Sequence, residues 1–138
     1  MREVSPWIAI VDDDPSVLRA LARLLRARAL PAKAFASARE FLTALANGVP
    51  ECLILDLQMP EMSGLELHQH LMRGGTKIPT IFITAYDSVE ARQRCEAAGA
   101  AAYLLKPLQS TAFFAAIEGI RRSANEPAKK HAPVGLDV

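Results

Sequence analysis

Three aspartates, a threonine and a lysine stand out because each falls where a short apolar run ends. Asp12 and Asp13 follow Trp7–Val11, Asp56 follows Cys52–Leu55, Thr84 closes Thr80–Thr84 and Lys106 follows Ala102–Leu105. Carboxylates gathered in one place raise one another's pKa unless a cation intervenes. Joined by a loop carbonyl, they form the hard-oxygen donor set that suits Mg²⁺. A lysine and a threonine hydroxyl beside such an ion suit the oxygens of a transferring phosphoryl group. A carboxylate can itself be the nucleophile, and the product is then an aspartyl phosphate.

That chemistry requires residues far apart in sequence to meet, and the elements around them show how. Five short apolar segments alternate with five stretches of helical character: Trp7–Val11, Ala32–Ala36, Cys52–Leu55, Thr80–Thr84 and Ala102–Leu105 read as strands. Unbroken apolar runs are expected of strands buried on both faces of a parallel sheet. After the first run, Asp14 reads as an N-cap with Pro15 at the first helical position. Val17, Leu18, Leu21, Leu24 and Leu25 then fall on one helical face. A second helix runs from a Ser37 cap through Phe41 and Leu45 to Asn47-Gly48, and a third carries Leu65, Leu67 and Leu71 to Gly74-Gly75. A fourth spans about Val89 to Ala98, and the last aligns Phe113, Phe114, Ile117 and Ile120. Strand–helix repeated in this way implies parallel strands joined by right-handed crossovers. Ligands of such sheets bind outside the carboxyl ends of the strands, where Asp12, Asp13, Asp56, Thr84 and Lys106 all lie.

Composition narrows the field. The 138 residues are 51% hydrophobic and 22% charged, enough apolar material for one domain with its own core. A net charge of +1 gives no electrostatic footprint for nucleic acid. Two cysteines, Cys52 and Cys95, rule out a disulfide scaffold and are expected to be a small buried hydrophobe and a helix-packing residue. No apolar run approaches a membrane span or a signal peptide, so a cytoplasmic location is expected. Residues 1–122 are expected to form the domain. From Ser123 the composition turns to Pro, Lys, Ala and Asn, and 123–138 reads as a flexible tail.

The segments IVDDDPSV (10–17), LILDLQMPEMSGLEL (53–67), IFITAYD (81–87) and AAYLLKPL (101–108) occur in an order and spacing that resemble the receiver domain of two-component response regulators. The resemblance covers about Trp7 to Arg122. It implies a flavodoxin-like, doubly wound α/β fold with a five-stranded parallel sheet of order 2-1-3-4-5 and five helices. It implies that Asp56 is the phosphoacceptor, phosphorylated by a histidine kinase, a phosphotransfer protein or a small acyl phosphate. Asp13, Asp56 and the backbone carbonyl of Gln58 would bind Mg²⁺, with Asp12 acting mostly through a metal-bound water. Lys106 and Thr84 would each take a phosphoryl oxygen. Tyr103 would turn inward as Thr84 moves, and the Lys106–Pro107 bond would be cis. The output would be a protein-interaction surface formed by the fourth helix, fifth strand and fifth helix, read by a downstream protein or a second copy of the chain. Such a domain modifies itself and slowly loses the phosphoryl group, and it is not a turnover enzyme. Tyr86, two residues past Thr84, would shield the acyl phosphate from water. The few, nearly neutral residues after Arg122 imply a stand-alone receiver without direct DNA binding, or a truncated chain.

Each residue also has an ordinary explanation. Asp14 is a cap and no more. Thr84 suits a strand end, Lys106 can snorkel, and Tyr103 can be simply an amphipathic strand residue. His68 and His70, two apart on the third helix, do not share a face and read as surface or edge residues. Trp7 is expected to cover one end of the sheet. A haloacid-dehalogenase-like phosphatase would use Asp12 and Asp14 as its D-x-D pair, but leaves Asp56 and its loop unexplained. A flavodoxin-like cofactor module would need backbone N–H groups where this chain has acids. A pseudo-receiver would keep the fold without the chemistry.

Overall fold

A strand that is apolar at every position is stable only where both sheet faces are covered. The computed structural model, which describes residues 4–125, supplies that cover. The elements run β1 (Val4–Val11), α1 (Pro15–Ala27), β2 (Ala32–Phe35), α2 (Ala38–Ala44), β3 (Val49–Asp56), α3 (Gly64–Arg73), β4 (Thr80–Thr84), α4 (Val89–Ala97), β5 (Ala102–Leu105) and α5 (Ser110–Asn125). All strand pairs are parallel, in the order β2-β1-β3-β4-β5. The fold is thus the flavodoxin-like one implied by the resemblance.

Alternation along the strands divides the core in two. Ile8, Ile10, Cys52, Ile54, Ile81 and Ile83 face Leu21 and Leu25 of α1 and Phe113, Phe114, Ile117 and Ile120 of α5. Ala9, Val11, Leu53, Leu55 and Phe82 face the opposite way, onto Phe41 of α2, Leu67 and Leu71 of α3 and Cys95 of α4. The register aligns Val11 with Leu55, Asp56 with Ile83, and Thr84 with Leu105. The residues after these positions therefore emerge at one edge, where the chain order reverses across β1 and β3.

Several boundaries differ from the sequence reading. β1 starts at Val4 and β3 at Val49, because the two extend each other across a register shift between Ser5 and Ile8. Pro6, without an N–H to donate, falls inside that shift. β2 stops at Phe35, one residue early, and α4 at Ala97. α5 continues through Ser123 to Asn125, since nothing before Pro127 forbids a helix. The remaining residues assigned to a tail, 126–138, lie outside the described ones. Trp7 is buried, with Phe35 at 6.3 Å and the Lys33 ammonium 4.6 Å from its ring centre.

His68 is a correction. It is buried rather than at a surface or edge, tilted against Phe82 at 5.6 Å. Gly64, Leu67, His68 and Leu71 form an i, i+3, i+4, i+7 stripe, so the periodicity of α3 includes the histidine. Burial holds its pKa below the usual imidazole value. His70 is exposed, as expected.

α4 is attached differently from its neighbours. Its sequence, VEARQRCEA, has no apolar stripe, and Cys95 is its one fully buried side chain. A helix held by so little apolar contact opens locally at low cost. In hydrogen exchange, amides of 93–97 are expected to exchange at least about tenfold faster than those of 21–25 in α1. Equal protection of the two helices would contradict this account of the packing.

Candidate functional site

The acidic edge is built by caps and close backbone contacts. After β1, Asp12 is fully buried, and its Oδ1 accepts the N–H of Asp14 at 2.9 Å. Asp14 in turn accepts the N–H and hydroxyl of Ser16 at 2.9 and 2.8 Å, capping α1 ahead of Pro15. Those hydrogen bonds lower its pKa. Asp14 is therefore structural, as the sequence indicated, and the intervening Asp13 is left exposed. After β3, Ser63 caps α3 by accepting the N–H of Glu66, whose carboxylate accepts the N–H of Ser63 at 2.8 Å. This reciprocal box ties the loop after Asp56 to the helix. The Ser-x-x-Glu pattern at 63–66 is the sequence signal for it. Gly64 donates its N–H to the Leu57 carbonyl at 3.0 Å. A Cβ on Gly64 would lie 2.3 Å from the Asp56 carbonyl oxygen, so only glycine allows this approach.

The expected residues converge. One carboxylate oxygen from each of Asp12, Asp13 and Asp56 lies within 4.8 Å of the others. The Lys106 ammonium sits 2.8 Å from Asp12 Oδ2 and 3.3 Å from Asp56 Oδ1. Thr84 is fully buried, one residue beyond the Asp56-facing Ile83. The Lys106–Pro107 bond is cis.

Electrostatics sets the protonation of this cluster. Burial, and then the charge of Asp12, push the Asp56 carboxyl up to about 6, with Lys106 opposing. Burial works against the Lys106 charge, but hydrogen bonding to Asp12 and the attraction of Asp56 outweigh it, and its pKa is raised. Asp12 Oδ2 is buried, and its close partner is the Lys106 ammonium that Asp56 shares. One ammonium thus stands against three carboxylates. Three carboxylate oxygens within 4.8 Å of one another, sharing one ammonium, are a donor set that fits a hard divalent cation. These three aspartates could hold a metal.

Thr84 and Tyr103 do not touch each other's partners. The Thr84 hydroxyl lies 2.8 Å from Gln58 Oε1 and accepts the Tyr86 N–H at 3.0 Å. Tyr103 is half-buried and its phenol donates to Asp87 Oδ1 at 3.2 Å. Arg92 pairs with Asp87 at 3.3 Å and lies 4.5 Å from the centre of the Tyr103 ring. Burial raises the phenol pKa, and the Asp87 charge adds to it. Tyr86 is well exposed. Sequence reasoning missed the roles of Asp87, Arg92 and the Gln58 side chain, for which no spacing rule gives a signal.

Comparison with known proteins agrees with this arrangement. The response regulator receiver domain family matches residues 8–118. Response regulator protein TmoT of Ectopseudomonas mendocina is 38% identical over 133 residues, covering 96% of this chain and 60% of that protein. Response regulator protein TodT of Pseudomonas putida is 36% identical over 124 residues, covering 90% and 55%. The chain therefore spans little more than half the length of these curated relatives. Among solved structures, a response regulator receiver protein from Burkholderia phymatum superposes with a TM-score of 0.74 at 41% identity, over 84% of this chain and 94% of that one. FixJ-N superposes with a TM-score of 0.77 at 34% identity, over 93% and 99%.

Two predictions follow from the geometry. A carboxyl whose pKa is raised on folding binds its proton more tightly in the native state. Without metal, its contribution to stability is present below about pH 4 and is lost as pH rises through about 6. In EDTA at pH 8, Asp56→Asn is expected to be more stable than the native chain by about 1–3 kcal/mol. The gap should narrow toward pH 5, and calorimetry at the two pH values reads it. A less stable variant at pH 8 would mean that the lysine pair outweighs the repulsion. Separately, Gly64→Ala is expected to lose about 1–3 kcal/mol in urea unfolding, because the new methyl group meets rigid backbone. A neutral result would show that the loop yields easily.

Proposed function

The chain belongs to the response regulator receiver domain family, and from that membership we propose that it accepts a phosphoryl group on Asp56. The observation that carries this reading is the meeting of Asp12, Asp13 and Asp56 within 4.8 Å, with Lys106 bridging Asp12 and Asp56. An Asp56 oxygen attacks phosphorus in line, while the bond to the donor's imidazole nitrogen or carboxylate oxygen breaks. With its pKa near 6, Asp56 is more basic than an ordinary aspartate and still mostly ionised at neutral pH. Lys106 offers its ammonium to a phosphoryl oxygen, held in place by Asp12. Asp13, Asp56 and the Gln58 carbonyl, with Asp12 beside them, would hold Mg²⁺, which would supply neutralisation of the phosphoryl charge.

The phosphoryl group adds about two negative charges to the cleft. Thr84 then turns its hydroxyl to a phosphoryl oxygen, and Tyr103 leaves Asp87 and turns inward. The surface of α4, β5 and α5 shifts in population toward a second arrangement. The donor is a sensor histidine kinase or a phosphotransfer protein. The reader of the surface is a downstream protein or a second copy of the chain. The domain modifies itself and slowly hydrolyses its own acyl phosphate, so it signals rather than turns over a substrate. Among the described residues no helix is long and apolar enough to cross a membrane.

Intact-mass measurement after incubation with Mg²⁺ and acetyl phosphate tests the reading. The native chain is expected to gain one phosphoryl group and Asp56→Asn none. Lys106→Met is expected to slow the gain about tenfold or more. A phosphoryl group retained in Asp56→Asn, or placed on Asp12 by peptide mapping, would refute the assignment.

A further inference from the structure

We propose that the side chain of Gln58 is a latch that holds the Thr84 hydroxyl in its resting position, and so sets how readily the site takes a phosphoryl group. The inference rests on the reading of Asp56 as phosphoacceptor and adds a positioning role for a side chain next to it. Thr84 has one hydroxyl proton. Two acceptors compete for it: Gln58 Oε1 at 2.8 Å and the Tyr86 carbonyl at 3.2 Å. The shorter contact takes the proton. A lone pair of the same oxygen accepts the Tyr86 N–H at 3.0 Å. The hydroxyl is thereby committed on both sides, and its proton points to the glutamine.

To donate to a phosphoryl oxygen on Asp56, Thr84 must surrender the Gln58 contact. The cost is modest, because Gln58 is exposed and water can replace what it loses. Release is also sterically easy. Gln58 borders an open groove of about 610 Å³ between the loop after β3 and α4, lined also by Ser88, Ala91 and Arg94. The freed amide can swing into it without displacing packed side chains. The Tyr86 contacts are local to the turn after Thr84 and do not depend on which side chain stands at position 58. The glutamine is therefore the variable part of the resting state. A half-exposed hydrogen bond of this kind shifts an equilibrium by about two- to tenfold.

The test uses the full chain with Gln58→Leu, which keeps the size and the backbone carbonyl but removes the acceptor. The first readout is the Thr84 side-chain rotamer, from three-bond scalar couplings in metal-free, unphosphorylated protein. A single rotamer is expected in the native chain and averaging over two or more in Gln58→Leu. The second readout is the affinity for beryllium fluoride, a phosphoryl mimic, at fixed Mg²⁺. Gln58→Leu is expected to bind it about two- to tenfold more tightly, and the gain should vanish in the Thr84→Val background. An unchanged rotamer overturns the latch, and so does a gain that persists without the Thr84 hydroxyl. Rotamer averaging with unchanged affinity overturns its role in setting the response. Failure of the phosphoacceptor reading would show separately, as absence of Mg²⁺-dependent beryllium fluoride binding in the native chain, and the rotamer measurement would still decide whether Gln58 holds Thr84.

Discussion

The charge of Lys106 is shared between Asp12 and Asp56, at 2.8 and 3.3 Å, while a third carboxylate, Asp13, stands close by. Carboxylates at this spacing cannot all stay ionised in a buried site without positive charge. The lysine meets part of that need, through Asp12 Oδ2 and Asp56 Oδ1, and leaves two negative charges unbalanced. The cluster is thus held one cation short. A site in that condition could hold a divalent cation, which would restore the balance.

Such a cluster is tolerable only because the rest of the chain is apolar and well packed. Two layers of core, one on each face of the sheet, supply the stability that the acidic edge withdraws. The register of β1 against β3 brings Asp12 and Asp56 to adjacent strand ends, and the parallel topology sends β5 to deliver Lys106 at the same edge. The cap at Asp14, the box at Ser63 and Glu66 and the bare Cα of Gly64 then fix the backbone on both sides of the cluster. Each of these is a local device, and none would place the carboxylates without the sheet.

What could be read from the sequence follows the same division. Strand cores are unbroken apolar runs ending in charge, so Cys52–Leu55 before Asp56 and Thr80–Thr84 were legible as elements and as positions. Element ends were less so, because the extension of β1 to Val4 depends on pairing with Val49, which no local pattern reveals. The burial of His68 follows from its spacing to Gly64, Leu67 and Leu71, which its spacing to His70 does not reveal. The convergence of Asp12, Asp13, Asp56 and Lys106 was legible, since topology alone brings strand ends together. The partners of Thr84 and Tyr103 were not, since a side chain such as Gln58 or Asp87 can turn several ways and tertiary context chooses among them.

Those partners also suggest an order of events within the switch. Thr84 is fully buried and its bond to Gln58 is partly shielded, whereas Tyr103, Asp87 and Arg92 meet near the surface. An exposed ion pair of that kind contributes little, on the order of 1 kcal/mol or less. The outer contact is therefore the easier to break, and α4, which bears Arg92, is anchored by one fully buried side chain. Both contacts are modest, since Gln58, Asp87 and Arg92 are all exposed, and neither locks the resting state. α4 can therefore open locally while Thr84 keeps its partners. On the reading proposed above, a phosphoryl group on Asp56 would act by holding a second arrangement that this loosely anchored surface can already reach.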